Sequence, residues 1–325
     1  MKLLVTGGAG YIGSIVAYRL LAAGHEVTVF DNLERGHRQA VPEGATLVTG
    51  DLTNHEAITA AVSKDLDGVL HFAALALVSE SVSHPARYYR TNVGGTLNLL
   101  EAITGAGVPR LVFSSTCAVY GEPDRVPIAE TAPTRPVTAY GASKLAVDLM
   151  IRDFCTASEL GAVSLRYFNV AGASGGLGEH HEPETHLIPN VLRAALGANP
   201  YVEMFGTDYP TPDGTAIRDY IHIEDLADAH VLALEAASPG RHQIFNLGNG
   251  SGFSVREVIA AACNVTGIEI PTRESARRPG DPPMLVAASD RIRSELGWTA
   301  RKPELEAMVA DAWEFAQAHP NGYSE

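Results

Sequence analysis

The sequence predicts an α/β protein: a doubly wound parallel sheet followed by a smaller α/β domain. Three observations carry that expectation. Near-continuous apolar runs of strand length alternate with helical patterns through the first half. A glycine-rich turn joins the first run to the first helix, and the texture turns short and loop-rich after Asn169. Together they describe a Rossmann-type sheet covered on both faces by helices.

In chain order, "KLLVTG" and "EVTVFDN" read as strands flanking an apolar-periodic helix from Tyr11 to Gly24, closed by glycine as a helix end requires. "ATLVTGDL" and "GVLHFAAL" follow as strands, then a long helical stretch around "TNVGGTLNLLEAITGAG" and the strand "RLVFSST". A helix beginning near Tyr140 and the strand "AVSLRYFN" continue the alternation, so residues 1–175 are expected to form the dinucleotide-binding domain. "GASGGLGEHHEPETH" reads as a loop opening a second domain over 176–325. There "IPNVLRAALG" is helix, "YVEMFG" strand, and "RDYIHIEDLADAHVLALEA" strand then helix. "QIFNLGNG" is a further strand, and the segment around 216–250 is expected to return to the first sheet. Ser254-x-x-Glu257 is a capping box opening the next helix. The final helix places Leu305, Met308, Ala312 and Phe315 on one stripe.

At 325 residues, 46% hydrophobic and 19% charged, the chain can bury a large core. A formal net charge of −14 argues against nucleic acid or an anionic membrane surface as partner. Cys117, Cys155 and Cys263 are scattered, without CxxC spacing; neither a disulfide framework nor a zinc site is implied, and a reducing compartment fits. No run approaches the roughly 20 apolar residues of a membrane span. The expectation is a soluble cytoplasmic protein.

"VTGGAGYIG" follows the first strand and opens the first helix, with Gly7, Gly10 and Gly13 spaced for a phosphate-binding turn and a stricter match nested at Gly8, Gly10 and Gly13. Asp31 ends the second strand, where a carboxylate accepts the two ribose hydroxyls of an adenosine and repels a 2′-phosphate. NAD is therefore expected over NADP, although Arg35 lies in the same loop. Asp51 and Leu52 occupy the next strand end, where an adenine edge could be read.

"TAYGASKLAVDLM" places Tyr140 and Lys144 one helical turn apart on one face. A tyrosine is a poor base at its ordinary pKa of about 10, and an adjacent ammonium favours the phenolate. The expectation is that Lys144 lowers the pKa of Tyr140. The pattern alone occurs by accident; fingerprint, acidic strand end and "SST…YGASK" together do not.

With these residues the chain resembles the extended short-chain dehydrogenase/reductase superfamily and, within it, the UDP-glucose 4-epimerases. The segments "TGGAGYIGS", "HFAAL", "NVGGTLNLL", "SSTCAVYG", "LRYFNVAGA", "FGTDYPTPDGTAIRDYIHIEDLADAH", "FNLGNGSGFSV" and "RRPGDPP" occur in that family's order. The resemblance implies a catalytic unit of Thr116, Tyr140 and Lys144. It implies NAD contacts at Gly7, Gly10, Tyr11, Ile12, Asp31, Asn32, Asp51, Leu52, Phe72, Ala73, Asn92, Tyr140, Lys144 and Phe168. Substrate contacts are implied at Thr116, Tyr140, Asn169, Leu187, Phe205, Arg218, Arg278 and Asp281. The implied reaction interconverts UDP-galactose and UDP-glucose, and a homodimer is implied with it. Arginine forks at Arg218 and Arg278 suit a diphosphate, while a surface ion pair of Arg218 or Arg278 with Asp219 or Asp281 is the plain alternative.

Several positions depart from the family pattern. Ala76 stands where many members carry lysine, Thr116 where serine is usual, and His186 where asparagine is frequent. Leu285 occupies a position governing room around the sugar C2 substituent, and being smaller than the tyrosine of some members it implies partial tolerance of N-acetylated UDP-sugars. In "GEHHEPETH" the spacing is not HExxH and Pro183 interrupts any helix, so no metal is expected; His71, between apolar strand residues, reads as a core histidine. Three rivals share parts of the pattern. A 4,6-dehydratase would need another acid–base pair, which Cys117 and Ala118 cannot supply. An epimerase of another UDP-sugar such as a glucuronate would want a further cation, for which Arg87 and Arg193 are candidates. A silent NAD-binding sensor could dispense with the Tyr/Lys pair that this chain keeps.

Overall fold

The structure, a computed structural model, describes residues 1–278 and 280–323. Seven strands form the main sheet: β1 (Lys2–Thr6), β2 (Glu26–Asp31), β3 (Thr46–Thr49), β4 (Gly68–His71), β5 (Arg110–Thr116), β6 (Gly161–Tyr167) and β7 (His242–Leu247). Their order is β7-β6-β5-β4-β1-β2-β3, every neighbouring pair parallel. The order reverses between β1 and β4, so a crevice opens at the carboxyl ends of those strands. Strand β6 is buried along its whole length, which explains its near-continuous apolar run.

Helices cover both faces. On one, Ile15, Val16 and Leu20 of α1 (Tyr11–Ala22) pack with Ile223, Leu226 and Leu234 of the later helix Ile223–Ala236. On the other, Leu99, Leu100 and Ile103 of α2 (Gly95–Ala106) pack with Val147 and Ile151 of α3 (Ala139–Ala157). The α1 helix ends before Gly24, whose φ of 82° is the left-handed conformation that glycine adopts without strain.

A third core belongs to the loop-rich second half. It is built from α4 (Leu187–Ala195), α6 (Val255–Thr266) and α7 (Leu305–Ala318) beside the two-stranded ribbon Val202–Phe205 and Thr272–Ser275, while the intervening helix Ile223–Ala236, α5, belongs to the first core. The capping box at Ser254 and Glu257 closes in both directions, and Leu305, Met308 and Phe315 are buried on the α7 stripe. Strand β7 comes from within this half yet completes the main sheet against β6. Among the described residues no helix is long and apolar enough to cross a membrane.

Candidate active site

The phosphate-binding end is shaped by missing side chains. Gly7 has φ of 73°, and a Cβ there would lie 2.5 Å from the Ala73 amide nitrogen; a Cβ on Gly13 would overlap the Gly7 carbonyl oxygen. The β1–α1 turn therefore folds tightly against the loop after β4 only with glycine at both places. Gly10, the N-cap of α1, meets nothing closer than 3.4 Å and provides no side-chain cap. The first-turn amides, those of Tyr11 and Ile12 among them, are thus open to an anion. This turn, which admits no Cβ at Gly7 or Gly13, fits a pyrophosphate.

Asp31 ends β2 and is 7% exposed; its oxygens accept from the Ala9 amide at 3.0 Å and the Leu33 amide at 2.8 Å. Burial raises its pKa, and these two amides oppose the rise. Two of its four lone-pair positions remain for ribose hydroxyls. Asn32 donates to Asp51 at 2.8 Å, so those two predicted contacts are already coupled, and Leu52 is buried beneath them. The Phe72 and Ala73 amides both donate to the Thr6 carbonyl, fixing the loop after β4 beside the glycine turn.

Two predicted cofactor residues have their polar groups engaged within the protein. The Tyr11 hydroxyl donates to the Gly172 carbonyl at 2.7 Å and is buried. Asn92, 2% exposed in a π-helical turn leading into α2, bonds both the amide and the carbonyl of Leu75 and donates to Ser143 Oγ at 3.0 Å. It therefore clamps the loop after β4 to α3, and acts on the crevice through that loop.

The α3 helix begins at Thr138, whose hydroxyl accepts from the Gly141 amide. It approaches so closely that a Cβ on Gly141 would lie 2.5 Å from the Ala118 carbonyl oxygen. That approach brings Tyr140 near enough to Thr116, at the carboxyl end of β5, for the threonine to act on the phenol. Lys144 is 3% exposed, donates from Nζ to the Ser114 carbonyl at 2.7 Å, and lies 4.8 Å above the Phe113 ring. Three expected catalytic residues thus meet at one strand end.

The electrostatics of the three are set by burial. Burial pushes Tyr140 up to about 12, opposed by Thr116. Burial lowers Lys144 itself to about 7, against the attraction of Asp148 one turn further along α3.

Four of the expected substrate residues, Phe205, Arg218, Arg278 and Asp281, are linked by contacts among themselves. Arg278 stacks its guanidinium over the Phe205 ring at 4.0 Å. Arg278 and Asp281 line a cavity of about 580 Å³ together with Tyr209 and Met284. Arg218 is paired with Asp281, the plain alternative considered from sequence, while Asp219 accepts from the Asn249, Gly250 and Ala287 amides instead. Arg218 nevertheless acts on the Cys117 thiol beside Thr116, which ties it to the catalytic end. Phe168 and Leu285 pack in one apolar cluster with Cys117. Asn169 lies on a short strand paired with Tyr220–His222, and Leu187 opens α4. Arg87 is engaged by Glu34 and Glu80. Burial raises Cys117 to about 12, so this thiol is no acid–base partner at neutral pH.

Sequence reasoning missed the layer under the catalytic residues. Ser114 Oγ and the Tyr167 hydroxyl are bonded, and Asp148 forms a buried pair with Arg166 at 2.9 Å. Asp148 at i+4 from Lys144 was the available signal. His71, as expected, is a core histidine bonded to Thr6 at 2.7 Å and Thr96 at 2.8 Å. The "GEHHEPETH" loop forms no helix, as the sequence led one to expect, and it brings Glu179, His181, Glu184 and His186 together.

The comparisons agree with this geometry. Residues 3–248 match the model of a family described as the NAD dependent epimerase/dehydratase family. A UDP-glucose 4-epimerase of Corynebacterium glutamicum is 54% identical over 98% of this chain and 96% of its own length. One from Streptomyces lividans is 54% identical over 100% of this chain and 98% of its own. A solved UDP-glucose 4-epimerase from Bifidobacterium longum, in complex with NAD+ and UDP, is 36% identical with a TM-score of 0.94 over 99% of this chain and 100% of that one. A glycine cradle, an acidic strand end and a Tyr–Thr–Lys cluster at the carboxyl end of β5, with full-length kinship on that scale, place the chain in the NAD-dependent epimerase/dehydratase family.

Proposed function

We propose that the protein is an NAD-dependent UDP-glucose 4-epimerase that interconverts UDP-galactose and UDP-glucose, a reaction of galactose metabolism. The observation that carries this reading is the placement of Tyr140, Thr116 and the buried Lys144 together at the end of β5, on the side of the sheet where the glycine turn lies. The glycine turn and Asp31 would hold NAD+, which would supply reversible hydride acceptance at C4′ of the sugar.

The residues supply the rest. Tyr140 takes the C4′ hydroxyl proton, directly or through Thr116, and gives it back after the sugar turns. To act near neutral pH its pKa must fall from about 12 by about 5 units, roughly 7 kcal/mol. One unit positive charge about 4 Å away contributes about 4 kcal/mol at an effective dielectric of about 20. Neither Lys144 nor a cofactor charge suffices alone; both acting on the phenol can. Arg218 and Arg278 would hold the diphosphate while the sugar stays loosely held, with Arg218 exchanging Asp281 for phosphate oxygens. The dehydratase alternative lacks its second acid–base pair, since Cys117 stays protonated.

Leu285, packed beside Phe168, favours partial tolerance of UDP-N-acetylglucosamine, and no conversion of that sugar would remove this part of the reading. A homodimer is supported by apolar side chains left exposed on and before α2 and α3: Tyr89 at 45%, Leu97 at 40% and Leu149 at 45%. Three unpaired cysteines suit a cytoplasmic setting. The deciding experiment incubates purified protein with UDP-galactose and no added NAD. Formation of UDP-glucose with no net cofactor reduction supports the proposal; a dehydrated product, or none with NAD supplied, overturns it.

A further inference from the structure

Between the strand Asn169–Ala171 and α4 the chain folds back on itself so that four side chains converge. One ligand atom each from Glu179, His181, Glu184 and His186 all lie within 4.8 Å of one another. The two carboxylate side chains are 9% and 4% exposed, the imidazoles 28% and 43%, so the cluster opens to solvent on its histidine side.

The separations within it are informative. His186 Nδ1 is 2.8 Å from the Glu179 carboxylate and 3.1 Å from that of Glu184; His181 Nδ1 is 3.3 and 3.6 Å from the same two groups. A tetrahedral zinc with ligands at about 2.0–2.1 Å has ligand–ligand edges of about 3.3 Å. The separations lie on both sides of that value, with Glu179 Oε1 shared by both imidazoles and Glu184 meeting His186 through Oε1 and His181 through Oε2. His181 Nδ1 is also buried without a hydrogen bond, although both carboxylates are near.

We infer that Glu179, His181, Glu184 and His186 form a divalent-metal site of the zinc class. Two carboxylates and two neutral imidazoles around one dication leave no net charge, which suits a pair of carboxylates this deeply buried. Two nitrogen donors disfavour magnesium and calcium, which take oxygen sets. Expecting ligands one turn apart on a helix missed the site because all four come from a loop. The metal's part is structural. His186 directly precedes Leu187, the first residue of α4, so the ion fastens the loop to the start of that helix. The rival arrangement is a pair of histidinium–carboxylate bridges with no metal. The inference is independent of the proposed reaction.

The test strips purified protein with a chelator, reloads it with Zn²⁺ or Co²⁺, desalts it and counts metal per chain. One equivalent is expected, with the intense visible bands of four-coordinate Co²⁺ and a rise in melting temperature on adding Zn²⁺. The variants His181→Ala/His186→Ala and Glu184→Gln should bind Zn²⁺ at least 100-fold more weakly and lose those bands. Circular dichroism identifies any variant that has not folded, and the wild-type loading then decides alone. No retained Zn²⁺ in the wild type, six-coordinate Co²⁺ spectra, or equal retention by folded variants would overturn the assignment and leave two histidinium–carboxylate bridges.

Discussion

Replacing Arg166 by methionine isolates the layer beneath the catalytic helix. Arg166 is 4% exposed and Asp148 2%; Nε and Nη2 of the arginine both donate to one Asp148 oxygen, at 3.0 and 2.9 Å. Nη1 donates to the Tyr120 hydroxyl at 3.1 Å, which donates to Asn246 at 2.7 Å. In Arg166→Met the Asp148 carboxylate would remain buried with only the Ser115 hydroxyl, at 3.2 Å, as donor. Breaking a buried pair from one side costs about 3–5 kcal/mol, whereas replacing both partners by apolar groups is near neutral. With about 2.1 cal/mol/K per residue of unfolding entropy, 325 residues convert that loss to about 4–7 °C in melting temperature. The assay is thermal unfolding of the wild type, Arg166→Met, Asp148→Leu and the double variant. The double variant should recover at least half of the single variant's loss. Because Asp148 draws Lys144's pKa upward, unpairing it should also move the lysine's titration above about 7 and shift the activity profile to higher pH. A single variant within about 1 kcal/mol of wild type, or a double variant no better than the single, would refute the reasoning.

Lys144, lowered to about 7, makes the unfolded chain bind more protons between that pH and its ordinary value, so stability rises with pH there. From pH 7 to 9 the gain is up to about 2.5 kcal/mol, and chemical denaturation of Lys144→Met should lack that slope. His71, His230 and His242, lowered by burial to about 3, 4 and 4, act with the same sign below pH 6.5: stability should fall as they are forced to take protons, seen as acid unfolding between pH 6 and 4. Tyr140→Phe should lower kcat by about 100-fold or more with cofactor content unchanged, measured by turnover and by NAD released on denaturation; turnover within tenfold of wild type would contradict its role. Gly13→Ala, whose Cβ would overlap the Gly7 carbonyl, should purify without NAD while Gly105→Ala, with open space around it, should not.

What could be read from sequence followed from local rules. Strand–helix alternation, the glycine turn, Asp31 and the Ser254 capping box each depend on neighbours within a few residues, and the structure has them where the patterns lie. What could not be read depended on distant partners or on the course of a side chain. Helical spacing puts Tyr140 and Lys144 on one face but does not say that the ammonium turns to the Ser114 carbonyl, 30 residues away in sequence. From sequence Arg218 could serve a phosphate or pair with Asp219 or Asp281, and only the folded chain decides for Asp281, 63 residues later. The Glu179–His186 cluster escaped because a loop has no period to follow.

Strand β7 has a consequence for biosynthesis. Residues 242–247 seal the flank of β6, a strand buried throughout its length, and no earlier segment does so. A chain growing from the ribosome therefore presents a bare, sticky hydrogen-bonding margin until that late stretch emerges, an invitation to mispairing that chaperones would need to shield. The N-terminal half cut off near residue 175 would keep that margin for good, so it should precipitate when expressed alone, however complete its nucleotide crevice.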